Sequence, residues 1–281
     1  MLNCKYIPIL FTAFIYNTNT KSPLKENTMK LGAQLFSVRQ FTQNYDDLSS
    51  TLGKLKKIGY DAIQVSAIGP IPADQIAELS NKYSLPVTCT HSPLPRILNE
   101  TEALIEEHKK YGCYQIGIGW IDPKTYDTVE KARDIIKMLK EPVKKIMDAG
   151  LTLAYHNHAA EFDDIGGTCF LDLLIDEFPE MHFILDTYWA TYAGRDPIEY
   201  IKRIGGARME NIHFKDMETE GKGRICACGN GILDFAKIYD VAKSVGVQNV
   251  LVEEDNAQDD YGDAFEQMAI SYKNLKSLFN K

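Results

Sequence analysis

From residue 30 onward the chain repeats one alternation. A short apolar run is followed by a joint of Gly, Pro, Asp or Asn, and then by a longer stretch of helical period. The strand candidates are Leu31–Leu35, Ala62–Val65, Val87–Thr90, Gln115–Ile118, Thr152–His156, Phe183–Leu185, Asn211–Phe214 and Val250–Glu253. Between and after them lie helical stretches at Tyr45–Ile58, Ala73–Tyr83, Glu102–Tyr111, Thr128–Ala149, Leu171–Glu177, Pro197–Ile204, Phe235–Val245 and Asp263–Phe279. Strict alternation predicts parallel strands joined by crossover helices. Eight such units in about 250 residues is the size of a closed (β/α)8 TIM barrel. Gly59, Gly112, Gly150 and Gly246 stand at helix-to-strand joints, where a left-handed residue suits the turn. An open doubly wound sheet would use the same alternation. Here, however, the first strand runs into FSVRQF rather than a glycine-rich phosphate turn, which disfavours a dinucleotide fold.

Residues 1–28 do not share this rhythm. Tyr6–Tyr16 is an apolar run of signal-peptide length, too short to span a bilayer comfortably, and a polar stretch leads from it to Met29. The expectation is a leader or an over-extended start over 1–28 and one catalytic barrel over 29–281. The net charge of -8 repels phosphate backbones, so nucleic acid is not expected as a partner, and neither is a membrane. Six cysteines without CxxC spacing point to reduced, mostly buried thiols and a cytoplasmic location, with export only if 1–28 is a genuine signal peptide. Cys226 and Cys228, two apart in a Gly-containing loop, leave a weak opening for redox or metal chemistry.

In such a barrel chemistry gathers at the C-terminal strand ends. Those ends carry Gln34, Ser37, Gln64, Ser66, His91, Trp120, His156, Asn157, His158, Asp186, His213, Lys215, Asp216, Glu253, Glu254 and Asp255, with Glu161 just beyond the fifth strand. Four of the six histidines in the chain fall there. With Asp186 and Glu253 they offer mixed N/O ligation from strands five to eight, which suits Mn²⁺, Co²⁺, Zn²⁺ or Fe²⁺, whereas Mg²⁺ would prefer oxygen alone. Each residue also has a bland reading. A strand histidine is more often a hydrogen-bonded core residue, a carboxylate after a buried strand often caps the next helix, and Lys215 could pair with Asp216 or Glu254. Backbone N–H groups of Gly229–Gly231 could cradle a phosphate, but Gly-rich turns are common, so no phosphorylated substrate is inferred.

The runs LAYHNHAAEF, FILDTYW, NIHFKD, CGNGILDF and VLVEED, in this order, resemble the xylose isomerase-like TIM barrel superfamily. It includes sugar isomerases and epimerases, inosose dehydratase-like proteins and 3-keto-sugar lyases, and the resemblance spans about Met29 to Lys281. It implies one divalent metal ion, most often Mn²⁺, held by Glu, Asp, His and Glu. By position Asp186, His213 and Glu253 match the last three. The first falls on His156, with Glu161 as the alternative, and Gln64 also stands where relatives often place Glu. The implied chemistry is proton abstraction next to a carbonyl through a metal-stabilised enediolate. Glu253 would be the base, His158 a proton donor, and Lys215 a holder of negative charge on substrate oxygen. Gln34, Gln64, His91, Trp120 and Trp189 would meet a sugar or keto-sugar. The leading expectation is an isomerase or epimerase. A dehydratase or lyase of an inosose or 3-keto-sugar is the alternative, favoured by the loss of a second metal-bound carboxylate. A non-catalytic sugar-binding barrel is the reading from another class. An abasic-DNA endonuclease on the same fold is opposed by the charge. The resemblance also allows a homodimer.

Overall fold

The computed structural model describes residues 29–218 and 223–279. The apolar run at 6–16, the expected leader over 1–28 and Cys4 lie outside the described residues. The barrel strands are β1 (Lys30–Gln34), β2 (Ala62–Val65), β3 (Val87–Thr90), β4 (Gln115–Ile118), β5 (Thr152–His156), β6 (His182–Asp186) and β7 (Asn211–Phe214). A small antiparallel hairpin of β8 (Asp216–Met217) and β9 (Ile225–Cys226) follows, and β10 (Asn249–Val252) completes the barrel. The eight barrel strands are parallel, in the order β3-β2-β1-β10-β7-β6-β5-β4. A lone parallel bridge between Ser92 and Ile118 draws the two ends together, so the (β/α)8 barrel is nearly closed.

Eight helices cross outside: α1 (Tyr45–Ile58), α2 (Ala73–Tyr83), α4 (Thr101–Lys110), α5 (Val129–Asp148), α6 (Phe170–Glu177), α8 (Pro197–Ile204), α9 (Phe235–Val245) and α11 (Ala264–Phe279). Each bears one apolar stripe toward the sheet; in α1 it is Leu48, Thr51, Leu52 and Leu55, at helical spacing. A capping side chain begins α1, α5, α8 and α9, and a glycine ends α1, α8 and α9. Asn44 accepts the Asp47 N–H at the start of α1, and Gly59, with φ of 125°, ends it. The other three expected joints, Gly112, Gly150 and Gly246, also have positive φ.

Three further short helices lie in loops at the mouth: α3 (Leu94–Asn99), α7 (Thr187–Tyr192) and α10 (Ala257–Tyr261). Five or six residues complete too little of a helical period to register in sequence. No described helix is long and apolar enough to cross a membrane. The five described cysteines are all buried and free.

Inside the barrel, Cys89, Ala154, Ile184 and Leu251 form a separate apolar cluster. Glycine makes room for it: a Cβ on Gly32 would stand 2.7 Å from Leu251 Cδ2, and one on Gly117 would stand 2.2 Å from the Thr90 carbonyl. Strand side chains repeat every two residues. The next inward position on the same strands is therefore His91, His156, Asp186 and Glu253, and the floor of the mouth changes from apolar to polar in one step.

Candidate metal centre

Four strands each deliver one group to that floor. His156 ends β5, Asp186 ends β6, His213 lies in β7 and Glu253 follows β10. One ligand atom from each lies within 4.8 Å of all the others, and all four residues are buried. His156 Nε2 is 3.4 Å from Asp186 Oδ2 and 3.8 Å from Glu253 Oε2. His213 Nδ1 is 3.7 Å from the same Asp186 oxygen and 2.9 Å from the same Glu253 oxygen.

Surrounding hydrogen bonds aim these atoms inward. His213 Nε2 lies 2.6 Å from Gln64 Oε1, which as an acceptor fixes the proton on Nε2 and turns the Nδ1 lone pair to the cluster. Asp186 Oδ1 accepts the Trp189 N–H at 2.9 Å, capping α7, while Oδ2 faces the cluster. The capping role of Asp186 thus leaves its second oxygen open to a ligand role. Asn157 Oδ1 accepts the Asp186 N–H at 3.0 Å.

Two observations test whether a cation fits. His213 Nδ1 and Glu253 Oε2 are buried and close, yet neither makes a hydrogen bond of proper geometry. Lone pairs that converge without bonding are what a cation satisfies. The electrostatics agree. Burial alone would lower the His213 pKa, but the Glu253 and Asp186 carboxylates raise it to about 9, so without an ion a proton would take the ion's place on Nδ1. Burial would raise Asp186 and Glu253, but Lys215 and the neighbouring imidazoles hold both below the ordinary carboxylate range. The cluster attracts positive charge, and its mixed N/O donors can hold a divalent ion.

Glu161, the alternative first ligand, is engaged elsewhere. Its two oxygens accept from the Tyr155 hydroxyl at 2.7 Å and the His158 N–H at 2.8 Å, so it braces the loop after β5. Lys215 is buried, with Nζ 2.6 Å from Asp255 Oδ1, 3.5 Å from Glu253 Oε2 and 3.6 Å from Asp186 Oδ2. Burial would lower its pKa, but these carboxylates raise it, so it stays an ammonium. Its partner is Asp255, not the expected Asp216 or Glu254. Successive residues on an extended chain point to opposite sides, so Lys215 shares the inward face with His213 while Asp216 turns away.

Asp216 also shows what the Gly229–Gly231 N–H groups bind. The N–H groups of Gly229 and Gly231 donate to Asp216 Oδ2 at 2.8 and 2.9 Å, and those of Leu233 and Met217 donate to Oδ1. The loop's own carboxylate occupies the cradle. Cys226 and Cys228 are buried beside it, where burial raises both thiols well above their ordinary value.

Above the floor opens a cavity of about 770 Å³, lined by His91, His156, His158, Lys215, Glu253 and Asp255 among others. Burial, with His156 and Lys215 adding to it, lowers His158 to about 3, leaving a neutral imidazole whose Nδ1 has no partner. Burial likewise keeps His91 neutral. Its Nδ1 lies 3.3 Å from Ser66 Oγ and 3.5 Å from Gln34 Nε2, and Nε2 is unpartnered. Gln34 and Gln64, expected to meet substrate, lie beneath the cavity and instead position His91 and His213. Trp120 is on the cavity wall. Trp189 sits behind it, 5.4 Å from the His158 ring and 5.1 Å from Lys215 Nζ. The sequence reading gave no role to Ser66, Asn157 or Asp255, although face parity with their strands was there to find the first and last.

The family model of the xylose isomerase-like TIM barrel matches residues 52–276. The chain belongs to this family. Its fold resembles a sugar phosphate isomerase/epimerase from Parabacteroides distasonis, with 21% identity over 94% of this chain and 99% of that one, and a TM-score of 0.77. The IolI protein with a bound zinc atom aligns at 17% identity over 90% and 98% of the two chains, with a TM-score of 0.67. An L-ribulose 3-epimerase aligns at 14% identity over 90% and 95%, with a TM-score of 0.68. At these identities the likeness establishes the fold. A comparison with curated proteins gave no match.

Proposed function

We propose that this chain is a divalent-metal-dependent sugar isomerase or epimerase that removes a proton from a carbon next to a carbonyl. The observation that carries this reading is the convergence of His156, Asp186, His213 and Glu253 from four neighbouring strands at the cavity floor. Mn²⁺ is the ion proposed first; the zinc in the IolI structure keeps Zn²⁺ beside it. A divalent ion held by these four groups supplies Lewis-acid polarisation of the substrate carbonyl.

The chain's own side chains do the rest. Glu253, held as a carboxylate, faces the cavity and takes the proton. The Lys215 ammonium, set by Asp255, compensates negative charge developing on a substrate oxygen. His91 and His158, both neutral, present ring nitrogens without protein partners to substrate hydroxyls. A specific feature favours a second reading, dehydration or lysis of an inosose or 3-keto-sugar. With His156 as first ligand, the floor has no carboxylate on the β5 side, which a symmetrical two-base epimerase would use. Elimination needs one base and a neighbour able to assist a departing oxygen, a part open to His158.

The test is to incubate Mn²⁺-loaded protein in D₂O with a panel of ketoses, inososes and 3-keto-glycosides. Deuterium should enter a carbon next to the carbonyl, and Glu253→Gln should abolish it. Equal exchange by metal-stripped protein would refute the proposal. Retention of all substrate oxygens favours isomerase or epimerase; loss of one favours the lyase.

A further inference from the structure

The cavity above the metal centre has two chemically different ends. Its inner end is the polar floor; its outer wall comes from the loops after β3 and β4 and from α3 and α5, with Leu94, Pro95, Trp120, Ile121, Ile135 and Met138. Trp120 is 59% exposed and Met138 41%, two of the large apolar side chains that the described fold leaves most open to water. Apolar side chains left uncovered in a concave wall, continuous with a reaction site, mark a place for an apolar ligand group. Charge points the same way. Lys215 is the one cation among the described residues lining the cavity, and its ammonium already faces three carboxylates. The outer wall adds Asp122, which opposes a phosphate. A volume of about 770 Å³ lies in the range that encloses a drug-sized molecule.

We infer that the substrate is an unphosphorylated keto-sugar derivative carrying a ring-sized apolar substituent, an aryl glycoside with a ketone on its sugar ring in type, with the sugar on the polar floor and the ring between Trp120, Met138 and Leu94. The indole face offers stacking and the thioether an adaptable contact to an aromatic ring. This deepens the sugar reading of the same site and rests on it.

The experiment is calorimetric titration of the full chain, Mn²⁺-loaded and metal-stripped, with phenyl and methyl β-D-glucoside, β-D-galactoside and β-D-xyloside pairs, which lack the carbonyl and so bind without reacting, and with glucose 6-phosphate. At least one phenyl glycoside should bind about tenfold or more tighter than its methyl partner, the gain expected when most of a phenyl ring leaves water. Met138→Asp should bring that ratio close to one, and Met138→Leu should keep it. Met138→Ala, giving an intermediate ratio, covers the case in which the aspartate disturbs α5. Ratios near one in all three pairs, absence of phenyl glycoside binding, or a preference for glucose 6-phosphate would overturn the inference. Deuterium exchange without phenyl preference removes this subsite and leaves the proposed function. Phenyl preference in both protein forms without any exchange removes the proposed function and leaves the apolar subsite.

Discussion

His156 and Glu161 compete in the sequence for one position at the metal, and substitution separates them. A ligand that binds only the folded chain at about 1,000 times its Kd stabilises it by about 4 kcal/mol. For a domain of this size each kcal/mol moves Tm by about 2–4 °C, so excess Mn²⁺ should raise the Tm of stripped protein by about 8–16 °C. His156→Ala removes an imidazole whose Nε2 faces both Asp186 and Glu253. Losing even a partner that only orients a ligand costs ten- to hundredfold in affinity, and losing a ligand costs more. A thousandfold loss leaves about 0.4 kcal/mol at the same metal concentration, a rise of only about 1–2 °C. Glu161→Gln behaves differently. It keeps one acceptor for Tyr155 or His158 and loses the other, at a cost of about 1–3 kcal/mol. Its Tm therefore falls with and without metal, while the rise on adding Mn²⁺ persists. Scanning calorimetry with metal stoichiometry by mass spectrometry reads both effects. If Glu161→Gln abolished the rise and His156→Ala kept it, the assignment of the first ligand would be wrong. If the unsubstituted protein showed no rise, the metal centre itself would fall.

Other consequences follow from residues around the site. Lys215→Met removes an ammonium that competes with a cation for the Asp186 and Glu253 oxygens, so metal affinity should hold or tighten while kcat falls about 100-fold or more; an unchanged kcat refutes its role. Asp216→Asn turns an amine toward two backbone N–H donors and should cost at least about 3 kcal/mol, visible as a lower Tm; a loss under about 1 kcal/mol contradicts the loop-anchoring role. His108, between the Thr90 hydroxyl at 2.8 Å and the Leu104 carbonyl at 2.7 Å, is lowered by burial from 6.5 to about 4. The unfolded chain accepts a proton that the folded chain refuses, so stability is full above about pH 6.5 and declines through about pH 4. That depression is worth about 3 kcal/mol. Urea midpoints measured across that window should flatten in His108→Leu, and an equal slope in the variant would show that other groups carry the decline.

The alternation of apolar runs and helical stretches was enough to place all eight barrel strands to within a residue or two, because each element is long enough for its own period to appear. Parity along a strand is equally local: it put His156 with His158 on one face, and the same rule, not applied in reading the sequence, pairs His213 with Lys215 and Glu253 with Asp255. Partnership between strands was another matter. That Gln64 would orient His213 across 149 residues, or that Asp255 rather than the adjacent Asp216 would hold Lys215, depends on register around a closed ring. The same holds for Glu161, whose proximity to YHNH in sequence suggested a ligand but whose oxygens are taken by Tyr155 and His158. Short helices at the mouth and the apolar wall of the cavity likewise emerged only in three dimensions. Local periodicity depends on neighbouring residues alone, whereas a binding site depends on which distant side chains the barrel's curvature brings within a few ångströms.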